Sequence, residues 1–272
     1  MIYLLITADD FGKSPETNRA IKIGTEEGML TSASLMVVGD KWEEAVEIAQ
    51  EKDMDIGLHV SLTEGKGIFL NKRMDISPSL RGFSAQFCKK TISWIEKEIS
   101  LQIKRLALTG LSFSHVDSHH HIHIHPRISK VLLRICKEYG IKSIRLPYEP
   151  WHISSPICNT HYLRNLFYML TFSCLSRRLA RGIRSAGLIS ADGVFGLYKT
   201  GEITEDWLLL LLERLQGVEG VFEIYLHPED KRNSPGYNEL KSITSPKVMD
   251  KIKEIGAKLI GFSDLIPISL KK

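Results

Sequence analysis

At 272 residues, 43% apolar and 25% charged, the chain has a globular composition and enough length to bury a substantial core as one barrel-sized domain or two small ones. Its 36 basic and 32 acidic residues leave a net charge of only +4, with no long run of like charge and no RNA-binding aromatic signature, which argues against nucleic acid as a partner. Four scattered cysteines, Cys88, Cys136, Cys158 and Cys174, form no CxxC pair and read as reduced thiols of a cytoplasmic protein.

Taken in chain order, the sequence opens on Ile2–Thr7, an apolar run without the basic stretch and small-residue cleavage site of a signal peptide, and so a first buried strand. Helix Pro15–Glu27 follows, started by Ser14-Pro15 and stopped by Gly28. Strand Ala33–Val38, helix Lys41–Gln50 and strand Ile56–Ser61 come next. An irregular loop from Glu64 to Arg81, with Gly65, Gly67 and Pro78, has the look of a lid or substrate loop. Beyond it lie helix Phe83–Leu108, strand Phe113–Asp117, helix Pro126–Tyr139, strand Lys142–Leu146, helix Leu163–Ala186 and a strand within Leu188–Val194. The series ends with helix Thr204–Leu215, strand Phe222–Leu226, helix Pro246–Ile255 and strand Lys258–Gly261.

Near-continuous apolar strands alternating with amphipathic helices suit parallel strands buried on both faces. Seven or eight such units predict an α/β fold of the TIM-like (β/α) barrel type, distorted or incomplete, with a doubly wound open sheet as the competitor. No linker or internal repeat divides the chain, so residues 1–272 read as a single domain.

Metal-binding residue types fall at strand ends: Asp9-Asp10 after the first, His59 near the end of the third, a histidine cluster after the fourth. Arg145 and His227 lie at or just beyond two others. Parallel α/β folds gather such positions at one edge. Adjacent carboxylates point in different directions, so one of Asp9 and Asp10 could ligate a metal while the other accepts a proton; the plainer alternative is a polar turn with an N-cap. Residues 115–125 hold six of the ten histidines, too many to be packing alone, with an exposed histidine-rich tract as the alternative. His227 could protonate a leaving group or simply end a strand. Arg145 could pair with Asp9, bind a substrate oxygen, or be a surface arginine.

Three motifs carry a resemblance: Thr7-Ala8-Asp9-Asp10-Phe11-Gly12, Gly57-Leu58-His59-Val60-Ser61-Leu62-Thr63-Glu64-Gly65, and residues 115–123, His-Val-Asp-Ser-His-His-His-Ile-His. With Arg145-Leu146-Pro147, residues 192–196 and Leu226-His227-Pro228, they resemble the YdjC-like carbohydrate deacetylases, in order across nearly the whole chain. The resemblance implies a (β/α) barrel, an N-acetylated sugar as substrate, and a divalent metal on Asp10, His59 and His119. It further implies Asp9 as general base and His227 as proton donor; Arg145 is expected beside them as a catalytic residue, and His121, His123, Phe11 and Thr63 as substrate contacts. Magnesium is the family's usual metal, whereas two imidazoles and a carboxylate equally suit zinc or another transition metal.

The stretch 162–186, rich in Leu, Phe and Met beside Arg177, Arg178, Arg181 and Arg184, is reminiscent of the family branch associated with hopanoid biosynthesis, whose amino sugar would be carried on a lipid. Such a segment could lie on a membrane surface, although a stripe of this kind is more often a buried barrel or homodimer helix. Two rival functions remain at this point: another metal-dependent hydrolase, such as a phosphoesterase, on the same scaffold, and a non-catalytic metal-binding protein.

Overall fold

The computed structural model describes residues 1–74, 92–158 and 162–265. Its strands are β1 (Ile2–Phe11), β2 (Ser32–Leu35), β3 (Ile56–Val60), β4 (Phe113–Ser118), β5 (Ser143–Ile144), β6 (Gly193–Phe195), β7 (Gly220–Leu226) and β8 (Lys258–Leu259). Packed around them are α1 (Pro15–Glu26), α2 (Trp42–Lys52), α3 (Ile92–Ala107), α4 (Pro126–Glu138), α5 (Tyr162–Ser185), α6 (Glu205–Leu215), α7 (Pro235–Ile243) and α8 (Pro246–Glu254).

Local chemistry sets the helix starts. Ser14, Thr204, Ser234 and Ser245 each accept the backbone N–H three residues on, and three of the four are followed by a proline at the first helical position. In α4, Ile128, Val131, Leu132 and Ile135 recur at one-face spacing and are buried, each stabilising the fold by about 1.5–3 kcal/mol.

All the ladders are parallel, in the order β5-β4-β3-β2-β1-β7-β6. The sheet curls into a distorted barrel. Its ends meet where Ser143 of β5 bridges Ile189, on the segment leading into β6, with the Ile189 N–H donating to the Lys142 carbonyl at 2.8 Å. The expected strand within Leu188–Val194 is thus split between that bridge and β6.

The eighth strand forms within the expected Lys258–Gly261 but is only two residues long. Lys258–Leu259 is exposed and pairs with Tyr3 and Leu4 at the start of β1, because β2 takes the same side of β1 from Thr7 onward. Helix α7 was not expected, although Ser234-Pro235 carries the same start signal as α1. The predicted start of α3 at Phe83 and residues 75–81 of the predicted loop lie outside the described residues.

One hydrophobic cluster fills the space between β1–β4 and helices α2–α4, and a second lies between β1, β6, β7 and helices α6–α8. Period-two alternation sends the other side chains of each strand into the barrel. There much of the lining is polar: Ser34, His59, His115, Asp117, Glu223 and Tyr225 are all buried, and Arg145 is the largest fully buried side chain among the described residues, while Leu5, Val221 and Phe262 belong to a third, smaller apolar cluster. Glycine makes room for this layer at position 57, where a Cβ would lie 2.2 Å from the His115 ring on the neighbouring strand.

Candidate metal centre and active site

A regular strand would aim Asp9 and Asp10 at opposite faces. Here the β1–β2 register slips between Ala8 and Phe11, and Asp10 adopts the left-handed region at φ 63°. Such a bulge re-aims side chains at a strand end. As a result both carboxyls join the same set of groups: Asp10 with His59 and His119, Asp9 with His59 and Asp117, each trio able to offer ligand atoms within 4.8 Å of one another.

In the first trio, Asp10 Oδ1 lies 2.8 Å from His119 Nδ1 and 3.3 Å from His59 Nε2. His59 Nδ1 lies 2.8 Å from Asp117 Oδ1. Burial would raise the Asp10 carboxyl, but the imidazoles of His119 and His59 hold it well below the usual carboxylate range. Burial would likewise lower His59, yet the Asp117 and Asp9 charges carry it up to about 10. His119 is also raised, against its burial, by Asp10.

Beneath this trio, Arg145 binds three carboxyls at once. Its guanidinium meets Asp9 through two bonds of 2.7 and 2.8 Å, Glu223 at 2.7 and 2.9 Å, and Asp117 at 2.6 Å. The surface reading of Arg145 is excluded. A buried cation in this setting stays charged, its own burial being outweighed by Asp117, Asp9 and Glu223.

The remaining expectations divide. Thr63 Oγ1 lies 3.1 Å from His120 Nδ1. His121 is half-buried, its ring 5.0 Å from that of Tyr225, and the half-buried His227 ring stands 5.6 Å from the same Tyr225. His121 and His227 stand at the rim above the trio's strand ends, and Thr63, only 4% exposed, reaches it through the exposed His120. Phe11 and His123 differ from their expected role as substrate contacts, since neither exposes any surface. Phe11 belongs to the larger core cluster, and His123 spends both nitrogens internally, on Ser118 Oγ at 2.6 Å and the Arg145 carbonyl at 3.0 Å.

The histidine-rich stretch is not an exposed tract. His119–Ile124 forms a short 3₁₀ segment in which His120 and His121 take positive φ, while His125 caps α4 and accepts the Arg127 N–H.

Sequence reasoning missed three acids. Glu223 stands in the apolar run of β7, and Asp117 sits inside the histidine motif without an assigned role. Glu239 of α7 accepts the backbone N–H of His227 at 2.5 Å and so fixes the end of β7. A carboxylate inside an otherwise buried strand is itself a signal, since it must find a partner.

The residues fit a divalent cation. Three buried carboxyls, Asp9, Asp117 and Glu223, share the one guanidinium of Arg145, and Asp10 stands apart from it with His59, His119 and Lys13. Nε2 of His59 is buried without a completed hydrogen bond, and Nε2 of His119 is buried with the Glu64 carboxylate facing it at 3.0 Å. Two imidazoles and a carboxylate are a normal three-ligand set that leaves positions for water and substrate.

The chain is 27% identical to a carbohydrate deacetylase of Vibrio campbellii over 97% of this chain and 96% of that protein. It is 35% identical to a carbohydrate deacetylase of Brevibacillus brevis over 53% of this chain and 59% of that protein. A crystal structure of an Enterococcus faecalis protein with a proposed role in cellobiose-phosphate cleavage shares the fold, with a TM-score of 0.75 at 21% identity, covering 97% of this chain and 98% of that one. Residues 3–254 match the model of the YdjC-like proteins, and the chain belongs to that family.

Proposed function

We propose that the chain is a metal-dependent deacetylase that hydrolyses the acetamido group of an N-acetylated sugar, releasing acetate and a free amine. The observation that carries this reading is the Asp10, His59 and His119 trio set beside a second carboxylate, Asp9, whose orientation Arg145 fixes. The carbohydrate deacetylases it resembles along nearly their whole length supply the substrate class.

Asp10, His59 and His119 would hold the ion, which supplies polarisation of the acetyl carbonyl and acidification of a water. Zinc or another first-row ion suits these donors at least as well as magnesium. Asp9 takes the proton from the attacking water. Each of its oxygens accepts one bond from Arg145 and retains a further lone pair, and the guanidinium divides its charge among three carboxyls, so Asp9 is aimed without being monopolised. As the water oxygen adds to the acetyl carbon and the C–N bond breaks, His227 delivers a proton to the departing nitrogen. His121 and Thr63 face the same rim and contact the sugar. Acetate release from N-acetylglucosamine oligomers by metal-reconstituted protein is the direct test; phosphate release from generic esters without acetate release would replace this reading with a phosphoesterase.

The reaction belongs in the cytoplasm, in keeping with Cys136, Cys158 and Cys174 being free thiols. Helix α5 suggests how the sugar is presented. Its outward face carries Leu163 (79% exposed), Phe167 (53%) and Leu170 (61%), then Arg177, Arg178 and Arg181, at one-face spacing, so the stripe is not buried in the barrel. No helix among the described residues is long and apolar enough to cross a membrane. An apolar and basic face suits the surface of an anionic bilayer. Sedimentation with phosphatidylglycerol vesicles should exceed that with phosphatidylcholine vesicles and fall in Phe167→Ser/Leu170→Ser; a stable dimer broken by the same substitutions would instead assign the face to a second copy.

A further inference from the structure

Within the trio, one oxygen is the common focus. Asp10 Oδ1 faces Nδ1 of His119 but Nε2 of His59, so the two rings turn different nitrogens toward it. Each ring turns its other nitrogen toward a carboxylate outside the trio. For His59 that group is Asp117 on β4. For His119 it is Glu64, whose Oε2 lies 3.0 Å from His119 Nε2.

Glu64 is built into place. Ser61 Oγ–H donates to the Glu64 carbonyl at 2.7 Å and accepts the Glu64 N–H at 3.1 Å. Gln102 of α3 in turn accepts the Ser61 N–H and donates to the Ser61 carbonyl. Lys13 Nζ ties the Glu64 carboxylate to the trio, at 3.1 Å from Glu64 Oε2 and 3.2 Å from Asp10 Oδ2. Further along, Glu98 accepts the N–H groups of Ile68 and Phe69. Residues 61–69 are therefore braced against α3.

An imidazole that binds a metal through one nitrogen carries its proton on the other, and a carboxylate facing that N–H fixes the tautomer and the ring orientation. Building on the metal-centre reading above, we infer that Glu64 is a positioning residue: it holds His119 from the Nε2 side, so that His119 offers Nδ1, and His59 offers Nε2, to an ion at Asp10. The competing arrangement makes Glu64 a fourth ligand beside His119 Nε2. The two arrangements require opposite tautomers of His119.

The test uses zinc as the probe and needs no substrate. Long-range 1H–15N spectra of the zinc-loaded, histidine-labelled chain should show His119 coordinated through Nδ1 and protonated at Nε2, with His59 the reverse. In chelator-competition titrations Glu64→Ala should weaken zinc binding by about 10–100-fold. Glu64→Gln, which keeps an oxygen acceptor, should recover most of that loss. Coordination of His119 through Nε2 would overturn the inference, as would a Glu64→Ala variant indistinguishable from the parent in zinc affinity together with an unchanged ring pattern. If Glu64→Ala does not fold, the parent spectrum alone decides the matter. Intact zinc binding with no acetate release would sink the deacetylase reading alone, whereas a parent chain that binds no zinc would sink both.

Discussion

The interior of the barrel and its rim use the same residue types under opposite conditions. Inside, Asp9, Asp117, Glu223 and Arg145 are at most 2% exposed, and each carboxyl meets the guanidinium within 2.9 Å. At the rim, His120 is exposed, and His121 and His227 are half-buried against the edge of Tyr225. Buried charges cannot fall back on water, so an interior substitution leaves a partner stranded. Rim groups retain solvent as a substitute. The interior is accordingly where geometry is held, and under the proposed function the rim is where different sugars would be accommodated.

The sharpest way to break this contrast is Arg145→Ala. Removing one partner of a buried ion pair costs about 3–5 kcal/mol, and here three carboxyls lose the same cation. The variant should fail to accumulate as folded protein or lose most of its urea resistance, and Arg145→Lys should not rescue it, because an ammonium cannot reproduce the planar fork. A melting temperature within a few degrees of the parent would mean that the interior is no more demanding than the rim. Asp9→Asn is milder for the fold and severe for the chemistry. It should lower kcat by about 10²–10⁴-fold, the usual contribution of a general base, with zinc content unchanged; loss of zinc together with activity would show that Asp9 is a ligand.

A second buried acid tests the same idea without touching the trio. Glu149 follows β5, is 2% exposed, and accepts bonds from Ser154 Oγ–H at 2.5 Å and the Tyr198 N–H at 3.2 Å. Burial overrides those bonds and pushes its carboxyl up to about 7. Because the folded value lies above the unfolded one, the stabilising contribution is present below about pH 4.5 and is lost as pH rises through 7. A shift of that size corresponds to about 3 kcal/mol. Urea midpoints should therefore decline between pH 5 and pH 8 in the parent, and Glu149→Gln should flatten that slope. An unchanged slope in the variant would remove Glu149 as its source.

How much of this was legible in the sequence follows the same division. Strand-end placement of Asp10, His59 and His119 was readable because parallel α/β chains put functional residues at the carboxyl ends of their strands, and those ends meet. The bulge that turns Asp9 and Asp10 to one side was not, since the register slip at Ala8 depends on how β2 pairs and leaves no mark in the motif. Glu223 was hidden for a related reason. Within Val221–Tyr225 the run reads as a buried strand, and only the alternation of Glu223 and Tyr225 against Phe222 and Ile224 tells that one face lines a polar interior. Phe11 shows the reverse error, a motif residue whose aromatic ring serves packing.

The smallest effect belongs to the rim and completes the contrast. The Thr63 hydroxyl contacts Nδ1 of His120, and that imidazole is exposed. Thr63→Val preserves shape and removes the hydroxyl, after which water can take its place on the ring. The net value of one such bond is about 0.5–1.5 kcal/mol, so kcat/KM for N-acetylglucosamine oligomers should fall by less than about tenfold, with no change in zinc affinity or urea midpoint. A loss approaching that of Asp9→Asn would place Thr63 and His120 among the groups that touch the reacting atoms, and the boundary between fixed interior and adaptable rim would move outward to include them.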